Sequence, residues 1–279
     1  MQYDVCIFFK RSNVEKLSDI FISEWNAEAG ADEIIAEKPA DLYSVAPALL
    51  SSANKEKTCA ATKQTPYSSE EKPAVSDNLF HDNSLSHITS LDELRLAMQS
   101  FTGCALKTTA MNTVFSDGCP QADIMIVGEA PGADEDRMGK AFVGRSGQLL
   151  DKMLASIGLS RKTNVYISNI IPWRPPGNRT PSTAEVAACL PFIRKHIELI
   201  NPALLLLLGK SSASALLNTV ESISHLRGRV FDYKTDSGKI IPALVTFHPA
   251  FLLREPLQKR LAWQDMLKLQ KTLKELNIL

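Results

Sequence analysis

Four short runs of consecutive, almost entirely apolar residues constrain the fold more than any other feature of this chain. They are Ile124-Met-Ile-Val127, Val165-Tyr-Ile167, Ala203 to Leu208 and Pro242 to Thr246. None alternates apolar with polar, so each predicts a strand covered on both of its faces, and each is too short for a helix. Helix signals lie between them. Leu149, Leu150, Met153, Leu154 and Ile157 recur at helical spacing behind Ser146, a residue type that caps helices. Ser182-x-x-Glu185 follows Pro181 as a capping box for a helix running to about Ile200. Gly209 opens a short helix after the third run, and a last helix is expected from about Leu257 to Leu276. Strands and helices in alternation predict an α/β domain of three layers, α/β/α, around a four-stranded parallel sheet.

The first third of the chain reads differently. Residues 1–45 carry short amphipathic pieces, with Leu17, Ile20, Phe21 and Trp25 at the spacing of one short helix, and form an N-terminal appendage. Residues 46–88 are rich in Ser, Ala, Lys, Glu, Thr and Asn and poor in large apolar residues. Such a stretch cannot bury enough surface to offset its ordering entropy, so it reads as a flexible linker to a domain spanning 89–279. The formal net charge is zero, but residues 1–100 hold 9 Lys/Arg against 16 Asp/Glu, and residues 101–279 hold 22 against 15. The neutral average therefore conceals a basic main body, which suits an anionic partner and suits an ordinary surface with a chance surplus equally. Five cysteines, Cys6, Cys59, Cys104, Cys119 and Cys189, are odd in number, dispersed and without a C-x-x-C, which argues against a disulfide framework. No apolar run approaches the ~20 residues of a membrane helix, and Val5 to Phe9 is too short for a secretion signal, so a cytoplasmic protein is expected.

In a parallel sheet of this kind ligands bind beyond the carboxyl ends of the strands. The first run ends in Gly128-Glu-Ala-Pro-Gly132. The second ends in Ser168-Asn169, followed by Arg174-Pro-Pro-Gly-Asn-Arg-Thr-Pro181. The fourth ends in Phe247-His-Pro-Ala-Phe-Leu-Leu-Arg254. One edge of the sheet thus collects a carboxylate, an amide and an imidazole. A phosphate-binding loop is a poor fit to Gly132 through Gly139-Lys140: six residues separate the glycines instead of four, and Ala141 follows the lysine where a hydroxyl should bind magnesium. The G-x-G-x-x-G dinucleotide pattern is absent as well.

Five segments, Gly128-Glu-Ala-Pro-Gly132, Ala141-Phe-Val-Gly-Arg-Ser-Gly147, Asn169, Arg174 to Pro181 and His248-Pro249, occur in an order that resembles the family 4 uracil-DNA glycosylases, over roughly residues 91–279. The resemblance implies removal of uracil from DNA by hydrolysis of its N-glycosidic bond, in base-excision repair. A flipped base has to be held in a snug pocket, and the resemblance assigns Gly128, Ala130, Phe142 and Asn169 to uracil binding. Asn169 would pair with the pyrimidine edge; taken alone, it reads equally as a turn-capping residue. Phe142 would stack on the base or belong to the core. Glu129 and His248 match the two catalytic motifs. Glu129 would orient or activate water and stabilise an oxocarbenium-like state, or else satisfy a helix N-terminus. His248 would donate a hydrogen bond to the departing base, or serve structurally before a proline turn. Ala130 stands where family 1 enzymes carry an aspartate, so that aspartate is not available as a base here. Leu252 or Leu253 would wedge into the duplex, Arg254 would hold a phosphate, and Ser146, Gly147, Arg174, Arg179, Arg227 and Arg229 are further candidates for backbone contact. The implied partner is single- or double-stranded uracil-containing DNA, bound by a monomer.

The sequence departs from the family at its [4Fe–4S] cluster. Cys104 and Cys189 match two of four cysteine positions, and Phe101 and Trp173 stand at the other two. Neither aromatic ligates iron and such a cluster normally needs four ligands, so catalysis is expected to need no cofactor and the cluster to be absent. A relative that links covalently to its abasic product does so through a histidine in a basic insertion, which is missing between Asn169 and Pro181. Two competing readings remain. A non-catalytic uracil- or damage-binding DNA protein would tolerate loss of Glu129 and His248, whereas an enzyme would not. A small-molecule hydrolase of related fold is the other, against which the basic body and Arg254 weigh.

Overall fold

The computed structural model describes residues 85–279, within a unit that spans Phe80–Leu279. The expected N-terminal helix, most of the linker, Cys6 and Cys59 lie outside the described residues. Leu85 and Ile88, at the end of that linker, pack on a small cluster formed by Leu94, Met98, Phe115 and Phe192. Helix α1 (Leu91–Ser100) starts there. Glu93 N–H donates to Ser90 Oγ and Ser90 N–H donates back to Glu93 Oε2, each at 3.2 Å, so two otherwise orphaned donors are satisfied. The short α2 (Leu106–Thr109) and a two-residue strand, β1 (Asp117–Gly118), follow.

The main body then runs β2 (Ile124–Gly128), α3 (Ala133–Met138), α4 (Arg145–Ala155), β3 (Val165–Asn169), α5 (Thr183–Ile200), β4 (Leu204–Leu208), α6 (Gly209–Leu217), α7 (Ile223–Leu226), β5 (Val230–Lys234), β6 (Ile240–Thr246), α8 (Pro249–Arg254) and α9 (Lys259–Glu275). The strands form one sheet in the order β1-β3-β2-β4-β6-β5. The four central strands are those expected, and they are parallel. The sheet is wider than expected because β1 and β5 add antiparallel edges. Neither has a buried-strand signature: β1 is two residues long, and β5 is mostly exposed or half-buried, as an edge strand with one wet face should be.

Alternate residues of the central strands feed opposite faces. Met125, Val127, Leu205, Leu207, Ala243 and Val245 pack under Cys189, Ile193 and Ile197 of α5, Ala213 and Leu216 of α6, and Leu226 of α7. On the other side α9 packs on β6 and on α4, and α4 packs on α8. Every residue of β2, β3 and β4 is buried, as strands covered on both faces require. Helix α4 begins two residues earlier than expected. Its N-cap is Gly144, not Ser146, so Ser146 lies inside the first turn.

From β2 the chain moves outward to β3 on one side, and from β4 outward to β6 on the other. The sheet therefore reverses direction between β2 and β4, and a crevice opens beyond their carboxyl ends. The register brings those ends level. Gly128 pairs with Asn169, Val127 with Leu207, and Leu208 with Thr246.

Candidate active site

A cavity of about 420 Å³ occupies that crevice, and Glu129, Ala130, Phe142, Ser146, Asn169, Arg179, His248 and Arg254 all line it. Residues more than a hundred positions apart meet there because each follows, or ends, one of the level strands.

Asn169 is the last residue of β3 and 5% exposed, and its Oδ1 has no hydrogen-bond partner among the described residues. A buried acceptor without a donor costs stability, so this atom marks where a ligand's N–H belongs. Gly128 stands beside it in β2. A Cβ at Gly128 would lie 2.4 Å from Asn169 Oδ1 and 2.5 Å from Phe142 Cζ. Gly128 therefore contributes by having no side chain, which leaves room for amide and ring to close over the strand end, while Ala130 forms part of the wall.

Phe142 is 4% exposed and holds a φ of 53°, a left-handed conformation that is strained for a bulky side chain. Its ring lies 5.5 Å from that of His248. The backbone turns tightly at this point: a Cβ on Gly147 would fall 1.8 Å from the Phe142 carbonyl oxygen. Gly147 thus serves the turn that presents Phe142.

His248 caps α8, and its Nδ1 accepts from Ala250 N–H at 3.2 Å. With Nδ1 accepting, the ring proton resides on Nε2. Burial, with the nearby Arg254 charge in support, pulls the imidazole down to about 4, so it is neutral at physiological pH. A neutral imidazole with Nε2–H can donate to a base that departs as an anion, and afterwards carries no charge to be neutralised.

Glu129 leaves the end of β2, and its Oε2 accepts from Ser211 Oγ at 2.5 Å. Ser211 lies in the first turn of α6, directly after β4, so this bond crosses the reversal point of the sheet. Glu135 is a second unexpected participant. It is 7% exposed, accepts from Gly132 N–H at 3.1 Å and from Gly144 N–H at 2.8 Å, and so ties together the two loops that carry Glu129 and Phe142. The bonds from Ser211 and Gly144 have no signal in the sequence, since both depend on how segments fold together, whereas Glu135 lies three residues after Gly132 at the spacing of a helix start.

The residues expected to touch DNA separate into two groups. Arg254 and Leu253 are exposed beside the cavity, Leu253 at 38%. Leu252 is fully buried in the core and cannot enter a duplex; the rotation of ~100° per helical residue turns its neighbour Leu253 out of the core. Arg179 forms a two-pronged pair with Glu185 at 2.6 and 2.9 Å, which holds that carboxyl down at about 2. Arg174 donates to Asn178 Oδ1 at 2.8 Å and is half-buried. Arg227 is bound to the buried Asp265, and Arg229 lies 3.3 Å from Glu221. The expectation that Arg227 contacts DNA is corrected accordingly: its charge is committed to the interior.

At the positions that the resemblance assigns to a cluster, Cys104 and Cys189 are both buried and lie beside each other. Burial and the neighbouring Cys104 push the Cys189 thiol up. Phe101 and Trp173 stack nearly parallel with centroids 6.1 Å apart, Phe101 meets Phe192 edge-on at 4.9 Å, and Trp173 Nε1–H donates to Thr113 Oγ1 at 3.0 Å. Among the described residues no group of three or more His, Cys, Asp or Glu side chains could hold a metal ion. The side chains present do not fit a four-thiolate cluster: two thiols face each other, and two rings pack where further ligands would be needed.

Comparison with known proteins agrees with this geometry. Residues 115–267 match the model of the uracil DNA glycosylase superfamily. The chain is 39% identical over 171 residues to a type-4 uracil-DNA glycosylase of Archaeoglobus fulgidus, covering 60% of this chain and 85% of the relative. It is 38% identical over 177 residues to the type-4 uracil-DNA glycosylase of Thermotoga maritima, covering 62% and 90%, and 37% identical over 170 residues to that of Pyrobaculum aerophilum, covering 60% and 86%. With an unpartnered amide, a strained aromatic, a neutral imidazole and a tethered carboxylate around one cavity, and with relatives matched over most of their length, the chain belongs to the uracil-DNA glycosylase superfamily, in its type-4 branch.

Proposed function

We propose that this protein removes uracil from DNA by hydrolysing the N-glycosidic bond, leaving an abasic site for base-excision repair. The observation that carries the reading is the buried Asn169 Oδ1, without a partner among the described residues, beside Phe142 in a cavity that also holds Glu129 and His248. The amide offers an acceptor and a donor side by side, matching the N3–H and O4 edge of uracil; cytosine presents the opposite pattern. Phe142 supplies a stacking face. As the C1′–N1 bond breaks, the sugar gains positive charge and the base leaves as an anion. His248 Nε2–H donates to the O2 of that anion, and Glu129 orients the water that attacks C1′ and offsets the sugar's charge. In this reading Arg254, which lines the cavity, holds a flanking phosphate, and the exposed Leu253 enters the emptied base position. These roles involve no cofactor and one chain, and an enzyme of this kind works in the compartment that holds the DNA, here read as the cytoplasm.

The reading includes the absence of a [4Fe–4S] cluster. Its support is the packing of Phe101 and Trp173, since large apolar rings are what a core needs to fill the volume a cluster would vacate. Anaerobically purified protein should contain no stoichiometric iron or sulfide; four irons per chain would refute this part.

Incubation with an end-labelled uracil-containing oligonucleotide, followed by alkaline cleavage, tests the function. Cleavage at the uracil is expected in the wild type and is lost in Asn169→Ala. Tight binding of the same oligonucleotide without base release would instead make the protein a damage binder.

A further inference from the structure

Arg161 has no place in the chemistry above, yet it is the side chain most heavily committed to the pocket's architecture. It stands in the connection between α4 and β3 and is 14% exposed. Its Nε donates to Asp151 Oδ1 on α4 at 2.8 Å. Nη1 donates to Asp117 Oδ2 on β1 at 2.8 Å and to the Ala141 carbonyl at 3.0 Å, and Nη2 donates to the Phe142 carbonyl at 2.7 Å. Two carboxylates on different elements thus fix a planar fork of donors, and the fork grips two successive carbonyls of the loop that bears the aromatic ring.

The gripped residue is the strained one. Phe142 sits at a φ of 53°, and its carbonyl is wedged against Gly147. A strained backbone persists only where surrounding contacts over-determine it. Gly147 permits the turn but does not hold it; the two Arg161 hydrogen bonds do. Arg161 is also not a spare cation for DNA. Asp117 and Asp151 together exceed its charge, and its donors point inward at acceptors already in place.

We propose that Arg161 is a positioning residue that sets the depth and tilt of the Phe142 ring, and with it the affinity of the pocket for a pyrimidine base. The proposal rests on the reading of Phe142 as the stacking surface. It goes beyond that reading by making a residue outside the cavity the determinant of where the surface lies.

Free uracil as a competitive inhibitor reports on the pocket separately from DNA binding. Stacking of one base on an aromatic is worth roughly 5- to 100-fold in affinity, so Phe142→Ala should weaken uracil inhibition by about that factor. Arg161→Ala should weaken it by about 5- to 10-fold, because the ring is displaced and not removed. Affinity for uracil-free duplex should be unchanged. Arg161→Lys keeps the charge and the alkyl stem but cannot hold both carbonyls while pairing with two carboxylates, so it should resemble the alanine variant while melting near the wild type. In the Phe142→Ala background Arg161→Lys should have no further effect on uracil inhibition.

Unchanged uracil inhibition in folded Arg161→Lys would overturn the proposal. So would an equal loss with and without Phe142, which would make Arg161 a general structural residue. A Phe142→Ala protein that binds uracil as the wild type does would overturn the stacking reading itself, a different outcome from either of these.

Discussion

Replacing Gly128 with alanine tests the pocket at its tightest point. The added Cβ would lie 2.4 Å from Asn169 Oδ1 and 2.5 and 2.6 Å from Cζ and Cε2 of Phe142. Carbon atoms settle at ~3.5–4.0 Å, so ring and methyl have to separate by about 1 Å. The strand cannot supply that movement, because β2 is bonded to β3 on one side and to β4 on the other. Nor can the Phe142 backbone, which Arg161 holds by its carbonyl. What remains is rotation of the ring toward the cavity, together with displacement of the Asn169 amide. A misplacement of ~1 Å at a reacting or recognition group costs about 100-fold in rate. Overpacking of this kind costs about 1–3 kcal/mol of stability, which a folded domain of this size survives. Steady-state kinetics on a labelled uracil oligonucleotide should therefore show kcat/KM reduced by about two orders of magnitude in Gly128→Ala. Gel-shift affinity for uracil-free duplex should hold, because phosphate contacts dominate it. Urea denaturation of the same preparations confirms that the variant is folded. A folded Gly128→Ala protein within about threefold of wild-type kcat/KM would refute the reasoning, since it would show that Asn169 and Phe142 are not held in the geometry that catalysis uses.

Ser211→Ala should lower kcat by about 10-fold with KM nearly unchanged, because hydrogen bonds to charged groups are worth roughly 1.5–3 kcal/mol and this one fixes Glu129; Ser211→Thr should recover most of the loss. The same substitution in a Glu129→Gln background should add nothing, and an additive loss there would contradict the positioning role. Acid stability follows from His196, which is 1% exposed, bonded to the Tyr166 hydroxyl at 3.1 Å, and pulled down to about 3 chiefly by burial. The unfolded chain takes up this proton below its ordinary value near 6.5 and the folded chain does not. The contribution is therefore complete above that pH and falls by up to about 1.4 kcal/mol per pH unit as pH drops toward 3. Urea midpoints of the wild type should decline between pH 7 and pH 5, and His196→Gln, which keeps a hydrogen-bonding group but cannot titrate, should flatten that decline. An unaltered slope would show that other groups set the acid limit. His248 should not limit activity over the same range, because it stays neutral until about pH 4.

Much of this protein could be read from its residue order. Continuous apolar runs at 124, 165, 203 and 242 determined the four parallel strands, because burial on both faces leaves no room for polar alternation. The strand ends then placed Glu129, Asn169 and His248 along one edge, since in a parallel sheet all carboxyl ends point the same way. That Phe101 and Trp173 stand at positions where the resemblance implies cysteines came from the motif comparison and not from composition or periodicity.

Tertiary structure decided what depends on pairing and direction. The edge strands β1 and β5 form by hydrogen bonding to an existing sheet, not by their own pattern. Leu252 and Leu253 are identical in type and adjacent in sequence, yet the phase of α8 against α4 buries one and exposes the other. Arg227 and Arg161 look like any other basic residues in the sequence; Asp265, and the pair Asp117 and Asp151, commit them to structure. Ser211 and Glu129 are 82 positions apart and meet only because β2 and β4 are neighbours at the point where the sheet reverses. Local sequence determines how a segment folds and which way its ends point. Which partner a polar side chain finds is a matter of long-range proximity, and that exists only once the sheet has assembled.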